Sequence, residues 1–367
     1  MAKKLASDRW IFGPVILLVG LGLLMIYSAS AMQIYLPAKG ATSHPYYFLV
    51  KQAIAVALGA ALAIGAASLD YRKLDNPRLI AGAFGLLAIA LIAVLFRAPI
   101  NGTRRWIDLK VMSVQPSEFA KVALVIALAA FLSRRQDEIE HPTRTLLPVA
   151  ALLGLMGGLV LLQPDFGTAV SYFVVAGAML FMAGLRLRWF LGAAVLVIPS
   201  LSAYISLAQY RRDRILSFLH PEADPLGKGF QAIQSLIAVG TGGVTGLGLG
   251  EGKQKLFFLP YPYTDFIYAI VGEELGLVGC GVVLGLFGLV FARGIRAAVG
   301  APDSFGRLLA TGLTVIIVVQ ALINVSVVLA LLPTKGIPLP FLSYGGSALW
   351  TDLLAIGILL NVSQHSA

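Results

Sequence analysis

The sequence has one cysteine, Cys280, and no second thiol to pair it with, which excludes a disulfide framework. Charge is scarce too: Asp, Glu, Lys and Arg make up 13% of the 367 residues, about half the roughly 25% usual in soluble domains. The four histidines, His44, His141, His220 and His365, fall in loops or at the tail with no metal-ligand spacing. Hydrophobic side chains, by contrast, reach 58%. A soluble fold of this length cannot hide so much apolar surface in one core, and a disordered chain would not carry it. The remaining class is an all-α polytopic membrane protein. A net charge of +10 would suggest nucleic acid in a soluble protein. Here it fits cytoplasmic loops facing anionic lipid and an outer site for an anionic ligand, with no nucleic-acid partner.

Ten apolar runs are long enough to cross a bilayer: 11–31, 47–68, 79–96, 115–133, 145–162, 166–184, 189–208, 265–292, 307–331 and 344–362. The chain 1–367 thus reads as a single integral membrane domain. Ala29-Ser30-Ala31 looks like a signal-peptidase site, but nine more spans follow, so the first run reads as a helix. With the N-terminus inside, fourteen Lys and Arg fall on the cytoplasmic side and six in the short outer loops. That bias predicts cytoplasmic termini and makes 209–264 a large extracytoplasmic loop. This loop holds Arg211, Arg214 and a glycine-rich stretch from Gly240 to Gly252. Gly229 to Val239 is expected to form a short amphipathic helix at the interface. Trp10, Trp106, Trp189 and Trp350 fall near span ends, as interfacial anchors do.

Ionisable residues inside spans are expensive, at roughly 2.5–3.5 kcal/mol each on insertion scales, so the few present are informative. Glu118 and Lys121 share a helix face at i, i+3 and suit an ion pair, a substrate contact or both. Asp165 sits in the turn Gln163-Pro164-Asp165-Phe166-Gly167 and suits a helix cap as well as a ligand contact. Asp265 opens the eighth run, as an N-cap or a reactive carboxylate. Glu273 and Glu274 lie in Gly272-Glu273-Glu274-Leu275-Gly276, whose small-residue spacing favours close packing. Asp352 lies in the tenth run. Glu118, Lys121, Asp165, Asp265, Arg104, Arg105 and Lys335 all fall toward the outer leaflet, which points to a hydrated outer cavity. A phosphate-loop reading of the Gly246–Lys253 segment fails, because Leu247 stands where a glycine is required and Gln254 where Ser or Thr is needed. Its glycines suit turns and close backbone approach instead.

Several stretches together carry a resemblance. They are Asn101-Gly102-Thr103-Arg104-Arg105-Trp106-Ile107, Gln115-Pro116-Ser117-Glu118-Phe119-Ala120-Lys121 and Gln163-Pro164-Asp165-Phe166-Gly167-Thr168. Asp224-Pro225-Leu226-Gly227 and Gln231-Ala232-Ile233-Gln234-Ser235 follow in the long loop. Thr264-Asp265-Phe266-Ile267, Gly336-Ile337-Pro338-Leu339-Pro340-Phe341 and Ser343-Tyr344-Gly345-Gly346-Ser347 complete the set. The chain resembles the SEDS family (shape, elongation, division and sporulation), the FtsW/RodA type of peptidoglycan polymerase. Lys253-Gln254-Lys255-Leu256 and Leu332-Pro333-Thr334-Lys335-Gly336 resemble the division branch more than the elongation branch.

That resemblance implies a ten-helix inverting glycosyltransferase that joins lipid II to the nascent glycan strand on the outer face of the cytoplasmic membrane, beside a class B penicillin-binding protein. It implies Asp265 as the essential acid, here the general base. Glu118 and Lys121 match the family's charged pair. Arg104, Arg105, Lys121 and Lys335, or a divalent cation (Mg or Mn), would stabilise the leaving pyrophosphate. Arg211 and Arg214 would grip a second lipid's phosphates, and Asp165, Gln231, Gln234, Ser235 and Ser343 are the remaining substrate-binding candidates. No organic cofactor is implied. Many members carry Glu and His shortly before the Thr-Asp pair; here Tyr261 and Tyr263 stand there, so no histidine base is available at that point. Two other classes compete. A flippase for lipid-linked precursor also needs intramembrane charge, but along a path through both leaflets. A non-catalytic scaffold would tolerate Asp265→Asn.

Overall fold

The computed structural model describes residues 8–31, 44–97, 103–108, 113–207, 209–224, 227, 229–256, 258–334 and 336–366. Lys335 lies outside them, and the side chains of Arg211 and Arg214 are likewise not described. The helices are α1 (Arg9–Ser30), α2 (Tyr47–Ser68), α3 (Pro77–Leu95), α4 (Pro116–Ser133), α5 (Leu147–Leu162), α6 (Phe166–Met182), α7 (Leu187–Ser206), α8 (Gln209–Leu219), α9 (Phe230–Gly242), α10 (Ile267–Val299), α11 (Ser304–Val328) and α12 (Gly346–His365). A short antiparallel pair of two-residue strands, β1 (Ile107–Asp108) and β2 (Ser113–Val114), forms a hairpin between α3 and α4. Every apolar run in the sequence is a helix. Among the described residues eight helices are long and apolar enough to cross a membrane, α5 counted with the helical turn before it (Pro142–Leu162), and α6 and the first part of α7 are shorter apolar helices.

Polar side chains set several helix starts. Asp8, Asn76, Asp165 and Asp303 each accept a backbone N–H from the first turn of α1, α3, α6 and α11. The core lies along α4, α11 and α12, whose residues are mostly buried. Helices α2 and α3 turn large apolar side chains such as Ile64, Leu86, Ile89 and Phe96 outward. That is the arrangement expected where the solvent is lipid.

Helix α10 is broken at Gly276, which has φ +65°. Leu277 and Val278 cannot donate to the carbonyls one turn back, and donate to Gly243 and Val244 instead (2.9 and 3.1 Å). The stranded carbonyls of Glu273 and Glu274 accept from Leu247 and Gly248 (3.0 and 3.1 Å). The glycine-rich segment therefore plugs the break and supplies partners to these four backbone groups. The two carboxylates hold the same segment. Glu273 accepts from the Lys253 and Gln254 amides, and Glu274 accepts from the Gly250 amide, Ser28 Oγ and Lys255 Nζ.

The helix expected at Gly229–Val239 exists, as α9, and one of its faces packs into the bundle while Leu236 and Ile237 stay exposed on another. Ala232, Ser235, Ala238 and Gly242 make a buried face of small side chains. At Gly242 the α10 backbone comes so near that a β-carbon would lie 1.9 Å from the Gly272 carbonyl oxygen. Small residues allow that approach, so α9 buries against α10 and α11.

The two ends of the bundle differ. One end carries Arg–carboxylate pairs: Arg293–Asp8 (2.7 Å), Arg134–Asp75 (2.5 Å) and Arg144–Glu138 (2.7 Å). The other carries the turn before α10, the hairpin and the loop between α11 and α12.

Candidate active site

At that second end lies a cavity of about 560 Å³. Asp265 lines it together with Arg105, Asp108, Lys51, Gln52, Gln115, Thr103, Trp106, Tyr261, Tyr344 and Gly336. Asp265 belongs to the turn before α10, not to its first turn. The helix begins at Ile267, and the residue at its cap position is Phe266, which makes no side-chain cap bond. The capping alternative for Asp265 is therefore corrected by the structure.

The turn is held from three directions. The Thr264 amide and hydroxyl both donate to the Tyr261 carbonyl (3.1 and 2.9 Å). Asn324 of α11 donates to the backbone oxygens of Asp265 (2.8 Å) and Ile337 (2.7 Å). Ser343 donates to the Thr264 carbonyl (2.6 Å) and accepts from the Leu339 amide (2.8 Å). Ser343 thus braces the loop rather than facing the cavity. With its backbone tied down, Asp265 keeps its carboxylate at the cavity wall. Burial pushes that carboxyl up to about 6, against the pull of the Arg105 guanidinium and with a smaller push from Asp165.

Arg105 is anchored on the α5–α6 turn. It donates to the carbonyls of Gln163 and Pro164 and lies 3.7 Å from the Asp165 carboxylate. Asp165 has no place on the cavity wall. It caps α6 at Thr168 and accepts from Thr168 Oγ1 (2.9 Å) and Gln115 Nε2 (3.2 Å). Arg104 points elsewhere, donating to the Leu95 carbonyl at the end of α3 (3.0 Å).

Glu118 and Lys121 form a buried ion pair (2.5 Å) that does not line the cavity. It is joined to it through one residue: Lys121 donates to Gln320, and Gln320 donates to the carbonyl of Pro338 (3.0 Å), which is in the wall. On α9, Ser235 donates to the Val328 carbonyl (2.8 Å), while Gln231 and Gln234 are half-buried; none of the three reaches the cavity. Glu273, Glu274 and Asp352 also lie away from the wall.

Lys51, with Asp108, is a charged cavity residue that reading the sequence passed over. It is the one charged residue of α2, and its Nζ meets the Tyr47 hydroxyl at 2.5 Å. That isolation in an apolar run was the available signal. Trp106 lines the cavity and Trp350 donates to the Ala55 carbonyl (3.1 Å), so neither is simply an interfacial anchor. Among the described residues no three His, Cys, Asp or Glu side chains gather as a metal-ion cage.

Comparison with known proteins gives one consistent result. A family model described as "Cell cycle protein", the FtsW/RodA/SpoVE model, matches residues 8–367. A relative from Geobacter metallireducens named "Probable peptidoglycan glycosyltransferase FtsW" is 44% identical over 346 residues, 94% of this chain and 91% of that one. "Stage V sporulation protein E" of Bacillus subtilis is 40% identical over 366 residues, 99% of each chain. Among solved structures, one reported as "Structural coordination of polymerization and crosslinking by a peptidoglycan synthase complex" superposes with TM-score 0.79 at 33% identity, covering 98% of both chains. The rod shape determining protein RodA of Thermus thermophilus superposes with TM-score 0.71 at 28% identity, covering 98% of this chain and 97% of that one.

Proposed function

The chain belongs to the FtsW/RodA/SpoVE family and is a peptidoglycan glycosyltransferase, and we propose that it polymerises lipid II in the cavity around Asp265. The supporting observation is a carboxylate raised to about 6 by burial, at the wall of a cavity that also holds Arg105 and Lys51. A general base works best with its pKa near the working pH, and a pyrophosphate leaving group needs positive charge nearby.

The reaction is a single inverting displacement. The acceptor sugar hydroxyl attacks the anomeric carbon of the donor, and the new carbon–oxygen bond forms as the bond to pyrophosphate breaks. Asp265 takes the hydroxyl proton. Undecaprenyl pyrophosphate leaves with the electron pair, and the α-linkage becomes β. Arg105 and Lys51 face the charge that develops there. A divalent cation held beside Asp108 and the substrate phosphates would supply further charge neutralisation. The prenyl tails lie against the apolar outer faces of the helices, where each buried methylene contributes about 0.8 kcal/mol.

The basic, opposite end of the bundle faces the cytoplasm with both termini, and the cavity faces outward. A class B penicillin-binding protein crosslinks the product, in line with the synthase complex to which the fold is similar. The test uses purified protein, with and without such a partner, given lipid II and a divalent cation, with products separated on a gel. A polymer ladder that disappears in Asp265→Asn supports the reading. A ladder from both proteins removes Asp265 as the base. No ladder, with lipid II crossing liposome membranes, replaces the polymerase with a flippase.

A further inference from the structure

Tyr261 is out of place by every local criterion. Its φ is +51°, in the left-handed region that suits glycine, although it carries a ring and is followed by Pro262, which narrows its choices further. It is 57% exposed and lines the cavity four residues before Asp265. The neighbouring aromatics are satisfied by one another: Phe48 packs on Tyr263 (4.4 Å between ring centroids) and on Tyr344 (5.1 Å). Among the described residues the Tyr261 ring packs on no other ring. A strained backbone that the surrounding turn holds in place, presenting an unpacked ring to a cavity, marks a position kept for contact with a ligand.

Resting on the glycosyltransferase reading, we propose that Tyr261 is a specificity-determining residue that stacks on the apolar face of a pyranose ring of lipid II bound beside Asp265. A pyranose with equatorial substituents turns its axial C–H bonds to one face, and that face packs on an aromatic ring. Tyrosine supplies such a flat, amphipathic surface with few rotatable bonds to immobilise. The turn holds the backbone of Tyr261, because its carbonyl is the acceptor for both Thr264 groups. A sugar face that the displacement does not alter, as in the acceptor ring, is held equally in substrate and transition state, so loss of the contact raises KM and leaves kcat nearly unchanged.

The test is lipid II polymerisation by the full chain with Tyr261→Gly and Tyr261→Phe. The glycine variant relieves the left-handed backbone, so its thermal midpoint in detergent equals or exceeds that of wild type. Its KM for lipid II rises about tenfold, with kcat changed less than threefold. Tyr261→Phe keeps the ring and brings KM back to within about threefold of wild type. In the Asp265→Asn background, direct titration with lipid II gives about tenfold weaker binding when Tyr261→Gly is added. An unchanged KM in the glycine variant, or a phenylalanine variant as weak as the glycine one, overturns the stacking role. A wild-type protein that makes no polymer overturns the glycosyltransferase reading instead, so the two failures are distinguishable.

Discussion

The Asp265 carboxylate rests against Gly336: a β-carbon at position 336 would lie 2.8 Å from Asp265 Oδ2. The loop between α11 and α12 thus meets the turn before α10 at a point where only hydrogen fits. Gly336→Ala puts a methyl group into that contact. The carboxylate is the free end of a side chain, so it yields and the fold holds. The expected result is a fall in kcat of at least tenfold, with a thermal midpoint close to wild type. A kcat within twofold of wild type would show that the carboxylate position tolerates displacement.

The pH dependence follows from the same carboxylate. A base acts when ionised, and Asp265 has its carboxyl at about 6. The kcat/KM profile therefore falls about tenfold per pH unit below that value and levels off above it. Stability runs the other way. The folded carboxyl holds its proton more tightly than the unfolded one, whose value is 3.8. Its favourable contribution is full below the unfolded value and is lost as pH rises through about 6. Asp265→Asn carries no such charge. Thermal unfolding of the variant should match wild type near pH 4 and exceed it near pH 8; a gap of the opposite sign would mean that the ionised form is stabilised in the fold.

The buried Glu118–Lys121 pair makes a coupled prediction. Glu118→Gln leaves a buried ammonium without the carboxylate at 2.5 Å, and Lys121→Met leaves the carboxylate alone. Each single change should destabilise by about 3–5 kcal/mol, as breaking a buried pair does. The double variant removes both charges and should recover most of that loss. Unfolding of all four proteins in one detergent measures the coupling. A double variant that folds well yet polymerises poorly would assign the pair a role at the cavity through Gln320 and Pro338 as well.

Reading the sequence located the spans because each is written in one contiguous apolar run. Asp265 drew attention as a costly carboxylate beside an apolar run, and the Thr264-Asp265-Phe266 stretch that carries the resemblance singled it out. Arg105 was legible as charge at the same depth, but not its docking on Gln163 and Pro164, which depends on α5 and α6 closing next to the hairpin. Lys51 and Tyr261 come to the cavity from segments far apart in the chain, and periodicity carries no information on which faces meet. The destination of α9 was hidden for a related reason. A face of Ala232, Ser235, Ala238 and Gly242 has little hydropathy of its own, so its value for close packing appears only once α10 lies against it.

The plug in the α10 break makes the sharpest stability prediction. A β-carbon on Gly246 would lie 2.1 Å from the Glu274 carbonyl oxygen and 2.4 Å from its carbon, and φ there is +82°. Backbone cannot move aside as a side-chain tip can. Gly246→Ala must therefore push the segment out and break the Leu247–Glu273 and Gly248–Glu274 bonds that close the kink. Buried backbone groups left open in the bilayer each cost several kcal/mol. The expected outcome is a protein that fails to purify as a single species in detergent. Gly240 is the matched control: it is helical, and nothing lies within 4 Å of its β-carbon direction. Gly240→Ala should leave the stability unchanged or raise it by about 0.5–1 kcal/mol at most, read as an equal or higher thermal midpoint. Equal behaviour of the two alanine variants would mean that the glycine-rich segment is not what closes the α10 break.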